Sequence, residues 1–319
     1  MPRWIRTLAA ATLMSSLSLL SACGGGDSSS TDGDVDIVAL AQRAPTLSTL
    51  AEAVEAAGLA ETLSTAGPYT VLAPTNDAFD ALLDELGIDK ATLMADHALL
   101  QSVLRYHVLP GRVARADIPA GRAIEPLDGG FLKIDTVGGD LVATDGRNRT
   151  ARLQATDLAA ANGLVHVIDR VLLPADRPLA EVVQAESGLG RLAAALAATG
   201  LSTTLSGAGP FTLFAPTDAA FDALAAQLAL TPAQLLADGP LLTRVLAYHL
   251  VDARVLRAEV PLGAPVTTRL GRSFTIGAGA DANLQVTDEC GCTATIVRAD
   301  LLGANGVIHV IDKVLQPAP

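Results

Sequence analysis

The residues of this chain best suited to chemistry occur in matched sets. Four of the five histidines recur at corresponding positions, His107 with His249 and His166 with His309. Imidazole is the commonest transition-metal ligand, so such pairs could mark a metal site. Neither copy adds a His-x-x-x-His spacing or a nearby cysteine, and His166 lies within an apolar, strand-like run. The expectation is therefore a buried histidine hydrogen-bonded to backbone or to a hydroxyl, with no metal and no cofactor. His97 has no counterpart, aligns with Gly239, and is expected at the surface. Cys290 and Cys292 flank Gly291 and align with Arg147, Asn148 and Arg149, so the fold does not itself require cysteine there. In an oxidising compartment the pair is expected to close a small-loop disulfide near the limit of Cα reach, strained and easily reduced. A redox or metal-capturing role for the two thiols is the alternative. The sequence holds no Gly-x-Ser-x-Gly, no His-Glu-x-x-His and no Walker-type loop, so no catalytic residue is assigned and the chain is not expected to be an enzyme.

These residues sit inside a whole-domain duplication. Asn162-Gly163-Leu164-Val165-His166-Val167-Ile168-Asp169 returns as Asn305-Gly306-Val307-Ile308-His309-Val310-Ile311-Asp312. Ala73-Pro74-Thr75-Asn76-Asp77-Ala78-Phe79 returns as Ala215-Pro216-Thr217-Asp218-Ala219-Ala220-Phe221, and Tyr106-His107 as Tyr248-His249. The period is too long for a solenoid unit and matches one globular domain. Each copy begins with helical spacing: Leu47, Leu50 and Val54, then Leu189, Leu192 and Leu196, with Gly58 and Gly200 placed as C′ residues. A short β-rich run follows, Tyr69–Ala73 or Phe211–Ala215, ended by proline, and Thr75 or Thr217 caps the next helix. A further helix carries Leu99, Leu100, Val103 and Leu104 into Tyr106-His107, and the rest reads as strands joined by Gly-rich turns. Helices first and strands last give an α+β class rather than alternating βαβ. The domains are placed at 36–174 and 175–319, joined by a short proline-bearing link that limits relative freedom.

Half of the residues are hydrophobic and only 3% aromatic, so the cores must be built from Ala, Leu and Val. A formal net charge of −12 argues against nucleic acid as an electrostatic partner. Residues 1–22 read as a signal peptide: Arg3 and Arg6, an apolar run from Leu8 to Leu20, then Leu20-Ser21-Ala22-Cys23. That ending looks like a lipoprotein cleavage site, with Cys23 as the lipidated residue. Residues 23–35 lack large apolar side chains up to Asp34 and read as a flexible tether. The expected location is the cell envelope, lipid-anchored on the outer-membrane or periplasmic side or at the cell surface.

The trio Ala-Pro-Thr-x-x-Ala-Phe, Tyr-His and Asn-Gly-x-[Val/Ile]-His-Val-Ile-Asp-x-Val-Leu resembles the fasciclin-type (FAS1) domain. The resemblance covers nearly all of the chain from about Asp36 to Pro317 and extends to bacterial lipoproteins carrying such domains in tandem. It implies, for each copy, a wedge of about seven β-strands with helices packed on it. It also implies an extracytoplasmic role in cell adhesion or matrix contact, with a protein, matrix or envelope component as partner. In animal members the Tyr-His segment and an Asp followed by an aliphatic residue just before Asn-Gly have been proposed as receptor contacts. Carried over by position, these are Tyr106, His107, Asp157, Leu158, Tyr248, His249, Asp300 and Leu301. The structural alternative has the Tyr-His residues in the core and Asp157 capping the turn into Asn162-Gly163, a dipeptide suited to positive φ. Three functions follow: an adhesion or protein-interaction module, an envelope spacer without a specific ligand, or a redox or metal-handling protein using Cys290 and Cys292.

Overall fold

The structure, a computed structural model, describes residues 35–65, 67–279 and 283–318. The expected signal peptide, Cys23 and the expected tether as far as residue 34 lie outside the described residues. No helix among the described residues is long and apolar enough to cross a membrane. The described residues, from 35 onward, belong to one compact unit holding both copies.

The first domain opens with α1 (Ile37–Arg43), α2 (Ser48–Ala56) and α3 (Ala60–Thr65), then β1 (Tyr69–Pro74), α4 (Asn76–Leu86), α5 (Lys90–Ala95) and α6 (His97–Tyr106). Strands follow: β2 (Val108–Pro110), β3 (Ala123–Ile124), β4 (Leu132–Val137), β5 (Asp140–Thr144), β6 (Thr150–Ala160) and β7 (Gly163–Ile168). The second domain repeats the order with α7 (Leu179–Ala185), α8 (Gly190–Ala198), α9 (Leu201–Leu205), β8 (Phe211–Pro216), α10 (Asp218–Gln227), α11 (Pro232–Ala237) and α12 (Gly239–Tyr248). Its strands are β9 (Leu250–Val251), β10 (Pro265–Thr267), β11 (Ser273–Ala278), β12 (Leu284–Thr287), β13 (Thr293–Gly303) and β14 (Gly306–Ile311). Each domain is thus a seven-stranded sheet with packed helices, in the order β2-β1-β7-β6-β5-β4-β3 and its equivalent.

Local chemistry explains the elements. The Thr75 and Thr217 hydroxyls accept from the amides of Ala78 and Ala220, capping α4 and α10. Asp36, which the sequence reading did not use, caps α1 through Ala39 N. Side chains alternate across β1: Val71 and Ala73 face the helices with Leu50, Phe79 and Leu104, whereas Leu72 faces Leu109, Leu132 and Ile134 on the other side. Each such leucine taken fully from water contributes on the order of 2 kcal/mol, so these two layers fix the sheet between them.

The repeated Asn-Gly does not serve as a positive-φ turn; neither residue has left-handed φ. Asn162 instead staples α1 and α3 to the sheet, accepting from Ile37 N at 3.0 Å and donating to Leu63 O at 2.6 Å. Asn305 does the same work, accepting from Leu179 N and donating to Leu205 O. Gly163 and Gly306 are required by space: a Cβ on either would lie 2.1 Å from a carbonyl oxygen, of Tyr69 or Phe211, on the parallel neighbour strand.

The two domains touch through Phe131 and Ala123 of the first, packed with Leu256, Leu302 and Val307 of the second. The Arg254 guanidinium lies 4.4 Å from the Phe131 ring centroid and donates to Glu125 Oε1 at 3.0 Å. Asn148 pairs with the Leu302 backbone in both directions, at 2.9 and 2.6 Å. The short link therefore joins domains that are already docked.

Candidate functional site

Tyr106, His107, Tyr248 and His249 are not a contact surface. Their exposures are 0%, 1%, 0% and 0%. The Tyr106 hydroxyl donates to Phe131 O at 2.7 Å and the Tyr248 hydroxyl to Ser273 O at 2.8 Å, tying the end of α6 or α12 to the start of β4 or β11. His107 bridges Val103 O at 2.7 Å and Leu172 N at 2.9 Å, and His249 bridges Val245 O and Leu315 N at the same distances. The carbonyl must accept from Nδ1–H and the amide must donate to a bare Nε2, so each ring is the neutral Nδ1–H tautomer. Burial pushes both histidines down to about 4. The polar atoms of all four side chains are spent inside the domain, which corrects their candidacy as contacts.

His166 and His309 hold the region that does reach the surface. His166 accepts from Asp157 N at 3.0 Å and donates from Nε2 to Val113 O at 2.9 Å; His309 accepts from Asp300 N at 3.3 Å and donates to Val255 O at 2.9 Å. With both ring nitrogens occupied by backbone, none of the four repeated histidines has a lone pair left for a metal.

Asp157 and Asp300 lie on irregularities of β6 and β13, where pairing with β7 and β14 skips between Ala155 and Leu158 and between Arg298 and Leu301. Both take left-handed φ, 61° and 58°, which Asp tolerates better than most residues. Neither caps the turn into Asn-Gly, as the sequence alternative had it. Asp157 Oδ1 accepts from Arg115 N at 2.8 Å, at the start of a short 3-10 helix, and Asp300 Oδ1 accepts from Arg257 N at 2.8 Å. The bulge aims the carboxylate away from the ladder and toward this neighbouring loop.

There the copies part. Asp157 is exposed and Leu158 half-buried. Asp300 is only 6% exposed and Leu301 3%. The cause is Lys133 of the first domain, whose Nζ lies 2.8 Å from Asp300 Oδ2 and 3.1 Å from Asp135. Burial alone would lower the Lys133 ammonium, but the hydrogen bond and charge of Asp300, helped by Asp135, carry it above its usual value. Domain docking thus seals one copy of the turn and leaves the other open. Lys133 carries no repeat signature, since position 275 is threonine, so comparing the copies as sequence could not reveal it.

Cys290 and Cys292 are free, exposed thiols, so the expected bridge is not formed. The loop is closed by a carboxylate instead: Asp288 Oδ1 accepts from Cys290 N at 3.0 Å and Cys292 N at 2.9 Å around Gly291 at φ 76°. Asp145 closes the equivalent loop on Arg147 N and Arg149 N, both at 2.9 Å, with no cysteine present. Partial desolvation, then the charges of Asp288, Cys292 and Glu289, raise the Cys290 thiol, which disfavours the reactive thiolate. Among the described residues no group of three or more His, Cys, Asp or Glu gathers to hold a metal. The signal that could have found this carboxylate is its repetition: Asp145 and Asp288 match inside otherwise variable loops.

The fasciclin domain model matches residues 45–174 and again 187–317. The chain belongs to the fasciclin domain family. Transforming growth factor-beta-induced protein ig-h3 of Sus scrofa is 30% identical over 252 residues, covering 79% of this chain and 35% of that protein. Protein sll1483 of Synechocystis is 39% identical over 145 residues, 45% of this chain and 76% of that one. Periostin of Homo sapiens is 27% identical over 272 residues, 85% of this chain and 30% of periostin. This chain therefore spans about a third of the length of the two animal proteins. The solved FAS1 domain pair of the insect cell adhesion molecule fasciclin I aligns at a TM-score of 0.43 and 19% identity, covering 85% of this chain and 97% of that one. Fasciclin domains are found in cell-adhesion and extracellular proteins.

Proposed function

We propose that this fasciclin pair is an extracytoplasmic adhesion and protein-interaction module, held at the cell envelope through lipid on Cys23, and that its first domain makes the contact at Asp157-Leu158. The observation that carries this reading is the asymmetry of the repeated turn. Asp157 is exposed on a backbone bulge braced by His166 and the Arg115 amide, whereas Asp300 lies under Lys133. A carboxylate fixed on a rigid strand, beside a half-buried aliphatic side chain, offers a charged and an apolar contact with little ordering cost. The partner is accordingly a protein or matrix component with a basic group beside an apolar one, and no catalytic role is assigned.

Asp157→Asn tests this cleanly. Asn tolerates the left-handed φ and its amide oxygen still accepts from Arg115 N, so the fold is kept while the charge is lost. Full-length protein displayed on beads is expected to lose about tenfold or more of its binding to envelope and matrix preparations on Asp157→Asn, with thermal stability unchanged. Undiminished binding by a folded Asp157→Asn protein would remove Asp157 from the contact. An absence of binding by the unmodified protein would favour the spacer.

A further inference from the structure

The duplicated fold contains its own control for a pocket in the second domain. In the first domain the Arg149 side chain runs into a groove between α4 and the segment after β7. Its guanidinium donates to Asp145 Oδ2 from Nε at 2.9 Å and from NH2 at 2.7 Å, to Val171 O at 2.8 Å and to Glu85 Oε2 at 2.7 Å. In the second domain the arginine is replaced by Cys292, four heavy atoms beyond Cβ shorter in reach toward the groove floor. The acceptors, however, are retained by position: Asp288 for Asp145, Val314 for Val171 and Gln227 for Glu85. All three line a pocket of about 500 Å³, with Cys292 and Thr293 on one wall and Ala220 and Leu224 on another.

We infer that this pocket is a binding site for a guanidinium group supplied from outside the chain, which takes the place that Arg149 occupies in the first domain. Asp288 is the anchor. It is 6% exposed, and its three hydrogen bonds come from the amides of Cys290, Cys292 and Gln316. Asp145 has the same three amide bonds, the last from Leu173, and adds the guanidinium, whose Nε and NH2 both donate to Oδ2. Asp288 Oδ2 thus keeps the acceptor capacity that Arg149 uses in the other copy, and its charge meets no ion-pair partner among the described residues. A planar guanidinium reaches that oxygen from two N–H groups while its other N–H groups meet fixed acceptors in the same plane, a geometry an ammonium cannot copy. The remaining N–H groups meet Val314 O and Gln227 Oε1, the latter now held by Gln316 Nε2 at 3.2 Å. Among the described residues Lys313 is the one basic side chain lining the pocket; it is exposed and makes no ion pair with Asp288. The site is separate from Asp157 and does not rest on the proposed contact there.

The guanidinium could come from an arginine side chain of a partner protein or from a small free guanidine, and the probes separate the two. Methylguanidinium, methylammonium and the peptide Gly-Arg-Gly are titrated into the full-length protein at low ionic strength. The readouts are thermal stability and the rate at which iodoacetamide alkylates Cys292, with Cys290 as the internal reference. Saturable stabilisation by methylguanidinium, at affinity about tenfold or more above methylammonium, and selective protection of Cys292 are expected. Tighter binding of the peptide than of methylguanidinium assigns the site to an arginine side chain; equal binding assigns it to a small guanidine. Cys292→Arg restores the internal guanidinium, and is expected to raise the melting temperature and abolish the stabilisation by methylguanidinium. Equal response to methylguanidinium and methylammonium, or an unchanged response in a stably folded Cys292→Arg protein, would overturn the inference.

Discussion

His107 and His249 each carry one proton on Nδ1 and give Nε2 to a backbone amide, so their neutral form is part of the fold. An unfolded histidine titrates near 6.5, whereas burial holds these two at about 4. Above pH 6.5 both folded and unfolded chains are neutral at these rings and their contribution is intact. Between 6.5 and about 4 the unfolded chain takes up protons that the folded chain refuses, so stability falls with pH, approaching ~3 kcal/mol per ring at the lower end. Urea midpoints measured from about pH 7 to about pH 5, above most carboxylate titration, are expected to fall steadily, and the slope to shallow in His107→Gln. A flat profile would contradict buried neutral imidazoles. That these histidines are structural was legible in their repetition within apolar segments. Which nitrogen bonds to what was not, because the partners Val103, Leu172, Val245 and Leu315 act through backbone, which leaves no trace in side-chain identity.

At the scale of elements, β7 and β14 are scaffold and the bulges of β6 and β13 are where the surface is made. Gly163 faces Tyr69 O across the parallel pair, where a Cβ would fall at 2.1 Å. Gly163→Ala must push β1 from β7 and is expected to cost on the order of 3 kcal/mol or to prevent folding, read as a fall in the denaturation midpoint. Tolerance of alanine there would mean that the two strands are less closely paired than the register requires. The α+β class, the capping threonines, the helix-ending glycines Gly58 and Gly200 and the strand at Val165 were all legible from spacing. The purpose of Asn162-Gly163 was misread, because glycine answers both to left-handed φ and to lack of room, and sequence does not distinguish them. Beside these turns the left-handed residues are Asp157 and Asp300, five positions upstream of each Asn.

For the whole molecule, duplication supplied two equivalent turns and two equivalent loops; docking of the domains made the turns unequal, and the exchange of Arg149 for Cys292 made the loops so. Lys133 crosses to Asp300, Arg254 to Glu125 and Phe131, and Asn148 to the Leu302 backbone. No contact of this kind is periodic, so the inequality was invisible in a comparison of the copies and appears only when the two are placed together. The loop at Cys290-Gly291-Cys292 did stand out in sequence, as the place where the copies disagree; its meaning lies in the groove that Arg149 fills in one domain and Cys292 leaves open in the other.

Carboxyl footprinting of the native full-length protein with a carbodiimide and an amine, read residue by residue by mass spectrometry, tests the open and sealed turns most directly. Asp157 is expected to react at the rate of exposed acids such as Asp140, and Asp300 slower by on the order of tenfold or more. Lys133→Ala should bring the Asp300 rate up toward that of Asp157 while the chain remains folded. Equal reaction of Asp157 and Asp300 in the unmodified native protein would contradict the account.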